Sequence, residues 1–138
     1  EVHLKGTFRS LNETWRYEVH KKMKSIVEEI CHKRGATADL RIPVGYPSVF
    51  NDPDLTARMK SSAIAFLGKE KVHDLPVRMT AEDFSFYARE IPGCFYRIGT
   101  SSPISDLGHR GLHTPHFDVD EDALKLGAGL MAYAAATT

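Results

Sequence analysis

Cysteine is scarce. Cys31 and Cys94 are the only two in 138 residues, too few for a disulfide framework. Cys31 falls on a helical pattern and Cys94 opens a strand-like one, so two buried free thiols are expected. A surplus charge of either sign is missing as well, because 18 Lys and Arg offset 18 Asp and Glu. That argues against a nucleic-acid partner held by a strong overall basic field, though it leaves room for a local patch. No apolar run reaches the roughly 20 residues needed to span a bilayer. No signal-peptide pattern opens the chain either, so neither a membrane partner nor an exported location is expected, and a cytoplasmic one is. Internal repeats and low-complexity tracts are also absent. What remains is ordinary globular composition, 42% apolar and 26% charged, in a chain the size of one domain or two small lobes. The opening Glu1-Val2-His3-Leu4 lacks Met and already reads as a strand, as expected of a piece of something longer.

Periodicity divides the chain into helical and strand-like stretches. Val2–Arg9 alternates weakly and predicts a strand. Asn12 suits the cap of a helix reaching about Arg34, with Val19, Met23, Ile26, Val27 and Ile30 on one face and Gly35 just past its end. Ala36–Val44 alternates cleanly, which predicts a half-buried strand, and Pro43 suggests an edge or an exit. Asp52-Pro53 is an N-cap followed by proline at the first helical position, opening a helix to about Leu67. Lys71–Val77 is a weak strand candidate. Thr80-Ala81-Glu82-Asp83 opens another helix in near capping-box spacing. Pro92-Gly93 turns the chain into the β-prone Cys94–Gly99. Asp118 or Asp120 caps a last helix, whose small residues at 127–132 suit close packing on a sheet. The order is β-α-β, then α-β-α-β-loop-α, an α/β chain with a natural break near residues 45–52.

The chemistry concentrates at residues 99–118, which carry His109, His113 and His116 without helical or strand periodicity. Long structureless loops in compact domains are usually functional or disordered. Imidazole is the commonest metal ligand, yet His-x3-His-x2-His on a loop has no helix to put the rings on one face. The spacing leaves ligation and a solvated polar loop both open and slightly favours the loop. Glu82-Asp83 at a helix start reads as acid–base carboxylates or as simple capping, with capping the better account of Asp83. Arg9, at a strand end, could grip a carboxylate through two parallel hydrogen bonds or merely be exposed. Capping explains Asp52; Asn51 has no comparable local explanation. Trp15, His20 and His32 fit the first helix without a site.

Five strings, taken in order, carry a resemblance. They are Gly6-Thr7-Phe8-Arg9, Asn51-Asp52-Pro53, Met79-Thr80-Ala81-Glu82-Asp83-Phe84, Ile91-Pro92-Gly93-Cys94-Phe95 and Leu112-His113-Thr114-Pro115-His116-Phe117-Asp118. Together they resemble the C-terminal part of the metal-dependent amidohydrolases of peptidase family M20, in the group of N-acyl-amino-acid amidohydrolases, hippurate hydrolases and auxin-conjugate hydrolases. The resemblance covers nearly the whole chain. It implies a partial lid α/β sandwich followed by the C-terminal α/β part of a zinc-peptidase-like catalytic domain. Residues 1–45 would be the second half of the lid and dimerisation domain, and 46–138 the end of the catalytic domain.

The resemblance further implies cleavage of the amide bond of N-acyl amino acids by metal-activated water. It implies two divalent ions in the complete enzyme, zinc first, with manganese, cobalt or nickel as alternatives. His113 matches the family's last metal ligand; His116 falls where the pattern is looser, and His109 lies outside it. Arg9 matches a lid arginine that binds the substrate carboxylate. Thr80, Ala81 and Glu82 match a loop whose backbone lies beside the substrate, and Asn51 a lid or interface contact. The family's other ligands, its general base and its lid histidine lie upstream of the part resembled and are absent here. A general base must reach the water it activates, so no catalytic base is assigned in this chain. The isolated chain is expected to bind no metal tightly and to be inactive. A homodimer through the lid is implied too. The competing reading is a non-catalytic dimerisation or binding module that pairs through the edge strand at Ala36–Val44.

Overall fold

The computed structural model describes residues 1–102, 104 and 106–137. Four α-helices carry the regular structure: α1 (Glu13–Lys33), α2 (Pro53–Leu67), α3 (Phe84–Glu90) and α4 (Asp122–Thr137), with a 3-10 turn at Lys69–Lys71 after α2. Their ends follow the sequence closely. Asn12 Oδ1 accepts from the Trp15 amide at 2.9 Å at the start of α1, and Gly35 takes a φ of 69° just past its end. Asp52 Oδ1 accepts from the Leu55 amide at 2.8 Å, and Pro53 occupies the first turn of α2. Of the two candidate caps for α4, Asp120 makes the contact: its Oδ1 accepts from the Asp122 amide at 3.0 Å. α3 starts at Phe84, later than the Thr80 start expected, and Asp83 before it makes no side-chain cap bond. Instead the buried Ser85 hydroxyl donates to the Glu82 carbonyl at 2.7 Å.

No β-strand occurs among the described residues, which overturns the α/β reading. Neither the lid sandwich nor the α/β end of a zinc-peptidase-like domain is present as a sheet. Val2–Arg9, Ala36–Val44, Lys71–Val77 and Cys94–Gly99 all run as irregular chain. Alternation reports which faces a segment can offer. A strand exists only when a neighbouring segment accepts its N–H groups and donates to its carbonyls. Among the described residues no two segments form such a ladder, and Val2, Leu4 and Val77 stand 82%, 90% and 79% exposed. The small residues of α4 likewise pack on side chains of a helix and an irregular segment, not on a sheet.

The chain gathers into two compact units, Glu1–Phe50 with Pro76–Ile91, and Asn51–Leu75 with Pro92–Thr138. In the first, the ring of Phe8 lies 5.7 Å from Trp15 and 6.1 Å from His20, which ties the N-terminal segment to α1. Arg16 is the most buried residue of α1. Its guanidinium pairs with Glu13 at 2.5 Å and donates to the Tyr46 carbonyl at 3.0 Å. Glu13 Oε1 accepts from the Ser48 amide at 3.0 Å, so one ion pair holds the segment that follows residue 44. Tyr46 meets Phe86 of α3 edge to face at 5.8 Å.

In the second unit α2 packs on α4. Ala63, Leu130 and Ala134 are its buried apolar residues. Phe66 stacks on Tyr133 at 5.4 Å, and the Ser62 and Thr137 hydroxyls are 2.9 Å apart. A Cβ on Gly129 would sit 2.9 Å from Phe66 Cζ, and one on Gly127 would sit 3.0 Å from Ile98 Cδ1. Glycine at those two positions is what lets the neighbouring side chains approach the α4 backbone. No helix among the described residues is long and apolar enough to cross a membrane.

Candidate functional site

The histidine loop is pinned at its base. The Ser102 amide donates to the Leu107 carbonyl at 2.9 Å, and Ser101 Oγ donates to the Gly108 carbonyl at 3.0 Å. Gly108 has a φ of 74°, and a Cβ there would lie 2.1 Å from the Thr100 carbonyl oxygen, so no larger residue fits. The same Thr100 carbonyl accepts from the Asp120 amide at 2.9 Å, which joins the base to the start of α4. His109 closes the base, with Nε2 2.9 Å from the Ser102 carbonyl oxygen. A carbonyl oxygen only accepts, so this bond requires the Nε2–H form of the ring. Ser102 itself is buried.

Beyond the base the chain makes a tight turn. Thr114 Oγ1 donates to the Gly111 carbonyl at 2.9 Å, and the Phe117 amide to the Thr114 carbonyl at 3.1 Å. His113 sits within this turn with a φ of 62°, the one non-glycine left-handed residue among those described. The left-handed region disfavours a Cβ, and His is one of the residue types found there most often. Backbone held this way clusters at functional sites. The His113 and His116 side chains are exposed.

The other candidate residues divide between the units. Arg9, Thr80, Ala81 and Glu82 belong to the first, and Asn51 and His113 to the second. Arg9, Thr80 and Ala81 are exposed and Glu82 is half-buried. Asn51 acquires the explanation that the sequence did not offer. Its Nδ2 donates to the Phe95 carbonyl at 2.9 Å, and its Oδ1 accepts from the Phe95 amide at 2.8 Å. One side chain thus pairs with both backbone groups of a residue 44 positions away, as a strand neighbour would. The adjacent Asp52 amide donates to the Gly93 carbonyl at 2.8 Å.

Three features were not singled out from the sequence. One is the Glu13–Arg16 pair, whose only signal is Glu and Arg at i and i+3 on a helix start. Another is the bond from Tyr96 Oη to Met131 Sδ at 3.6 Å. The third is the Cys94–Tyr96 pair. Burial, helped by the nearby Cys94, raises the Tyr96 phenol above its ordinary value of 10.0. Cys31 and Cys94 are free but only half-buried, so the expected burial is partial.

A catalytic zinc takes about three protein ligands plus a water. Among the described residues no three His, Cys, Asp or Glu side chains gather into a group that could hold a metal ion. One exposed imidazole in a turn does not by itself fit a complete dinuclear centre.

The chain belongs to the family described as peptidase family M20/M25/M40, whose pattern matches residues 3–137. Among curated relatives, a protein named probable hydrolase sll0100 from Synechocystis is 31% identical, over 98% of this chain and 34% of its own length. A putative amidohydrolase, YhaA of Bacillus subtilis, is 34% identical over 96% of this chain and 33% of its own. An IAA-amino acid hydrolase of Arabidopsis thaliana, ILR1-like 6, is 32% identical over 95% and 29%. The chain therefore spans about a third of the length of these relatives. No solved structure matches it.

Proposed function

We propose that this chain is the C-terminal part of a metal-dependent hydrolase that cleaves the amide bond of N-acyl amino acids. The observation that carries the reading is a family match over nearly the whole chain that covers only a third of its relatives. Relatives named amidohydrolase and IAA-amino acid hydrolase support the substrate class. In this reading residues 1–45 complete a lid and 46–138 complete the catalytic domain. His113 supplies one donor to a pair of divalent ions, zinc first, whose other donors lie outside this chain. The left-handed turn at Gly111–Thr114 fixes the direction in which that imidazole leaves the backbone.

Arg9 grips the carboxylate of the amino-acid half, and the Thr80–Glu82 backbone runs beside the substrate. Asn51 serves the site by holding the segment before α2 against Phe95. The isolated chain is inactive, because a general base has to reach the attacking water and this chain supplies none. A homodimer through the lid, residues 1–45, belongs to the same proposal and is read by sedimentation.

The test compares the 138-residue chain with the longer protein that contains it. Both are given N-acetyl and N-benzoyl amino acids with added zinc, manganese, cobalt or nickel. Release of the free amino acid by the longer protein alone supports the proposal. Metal-dependent release by the 138-residue chain, or none by the longer protein with any of the four metals, overturns it.

A further inference from the structure

His109 has no part in the proposed chemistry, yet its ring is not idle. Its Nε2 reaches the carbonyl of the buried Ser102 at 2.9 Å. That bond lies at the base from which the His113 turn projects. Two further bonds cross the same base, Ser102 N–H to the Leu107 carbonyl and Ser101 Oγ to the Gly108 carbonyl. Both of these are made by the first side of the base, residues 101–102. Among the described residues His109 makes the one side-chain bond running the other way, from just before the chain leaves toward Gly111. The base is itself tied to α4 through Thr100 and Asp120, so whatever fixes His109 fixes the start of the turn relative to that helix.

We propose that His109 is a positioning residue, which sets the turn that presents His113 by clamping the loop base through its Nε2–H. The proposal rests on the reading of His113 as a metal donor. Groups hydrogen-bonded directly to a metal ligand change metal affinity by about 10–100-fold when removed; His109 acts one step further back, through the backbone, and its effect should not exceed that range. His109→Ala removes the clamp. Glutamine is long enough to place an amide N–H near the position of Nε2, so His109→Gln keeps the donor without the ring.

Two measurements test the idea. In the 138-residue chain, amide hydrogen exchange at Ser102 should quicken by about tenfold or more in His109→Ala, as local opening of the base becomes easier. Exchange in α2 should stay unchanged in that variant, and His109→Gln should restore the protection of Ser102. In the longer protein, zinc retention against a chelator should fall, by no more than about 100-fold, in His109→Ala and recover in His109→Gln. Unchanged exchange and unchanged zinc retention in His109→Ala overturn the proposal. So does a zinc loss that His109→Gln fails to repair. His113→Asn, which keeps a residue tolerant of positive φ but removes the imidazole, checks the underlying reading. If that variant holds zinc like the parent, the reading of His113 falls and the proposal with it. If zinc is lost in His113→Asn but not in His109→Ala, only the proposal falls.

Discussion

Asn51→Leu should destabilise the chain by about 2 kcal/mol, since each of the two bonds it removes contributes about 1 kcal/mol net. Leucine has nearly the same shape as asparagine but no polar atoms. It would remove the bond from Nδ2 to the Phe95 carbonyl at 2.9 Å and the bond from the Phe95 amide to Oδ1 at 2.8 Å. Asn51 and Phe95 are both half-buried, so water can reach part of what is left unpaired. That keeps the loss near the net value and below the larger penalty of a fully buried orphan. The effect should be local as well as global. Asp52 N–H to the Gly93 carbonyl, at 2.8 Å, is the next bond in the same seam. Its exchange protection should fall with that of Phe95, while the Leu55 amide stays protected by the Asp52 cap. Urea unfolding of the 138-residue chain reads the first quantity and amide exchange the second. A loss under about 0.5 kcal/mol, the size of an ordinary surface substitution, would refute the claim that this side chain stands in for a missing ladder partner.

Other outcomes follow from neighbouring features. Asp52→Ala should cost about 1 kcal/mol in urea unfolding, the usual value of a lost N-cap, because Oδ1 is the acceptor that the Leu55 amide uses. Gly129→Ala sets two effects against each other. Alanine gains about 1 kcal/mol of helix propensity, but its Cβ would lie 2.9 Å from Phe66 Cζ. Overpacking costs about 1–3 kcal/mol, so the variant should be neutral to about 2 kcal/mol less stable, and Phe66→Leu should relieve the loss. Tyr96 should ionise above 10.0 in a phenolate absorbance titration, chiefly because burial disfavours its charged form, with Cys94 adding to the shift. The raised value means that the folded state holds the phenol proton more tightly than the unfolded state. Its contribution to stability is therefore complete below the unfolded value and is lost as pH climbs through the raised folded one.

The helices were legible in the sequence because their signals are local. Asn12, Asp52 and Pro53, with Gly35 past the end of the first helix, act within a turn or two of where they stand, and all take their expected places. The strands were not, because pairing is a property of two segments. Ala36–Val44 alternates as cleanly as any strand, yet among the described residues no second segment pairs with it, and its Ala36 amide turns back to the Cys31 carbonyl. The site was legible only in outline. Three histidines stood out as a group, but their spacing gave no way to rank them. Neither the left-handed backbone at His113 nor the clamp at His109 can be inferred from the order of residues.

The sequence by itself determined where helices begin and end, the balance of charge and, through five strings spread over the chain, membership of a hydrolase family. Charge balance follows from composition alone, and helix ends and the five strings each depend on residue identity at short spacing within the segment. Tertiary structure decided the rest. It gave Asn51 a partner 44 residues away and turned the small residues of α4 toward Phe66 and Ile98. It also separated the three histidines of one loop into a clamp, a residue on strained backbone and an exposed neighbour. Those outcomes turn on which distant segments meet, and the hydrogen bonds and close contacts that fix them form only once the chain has folded.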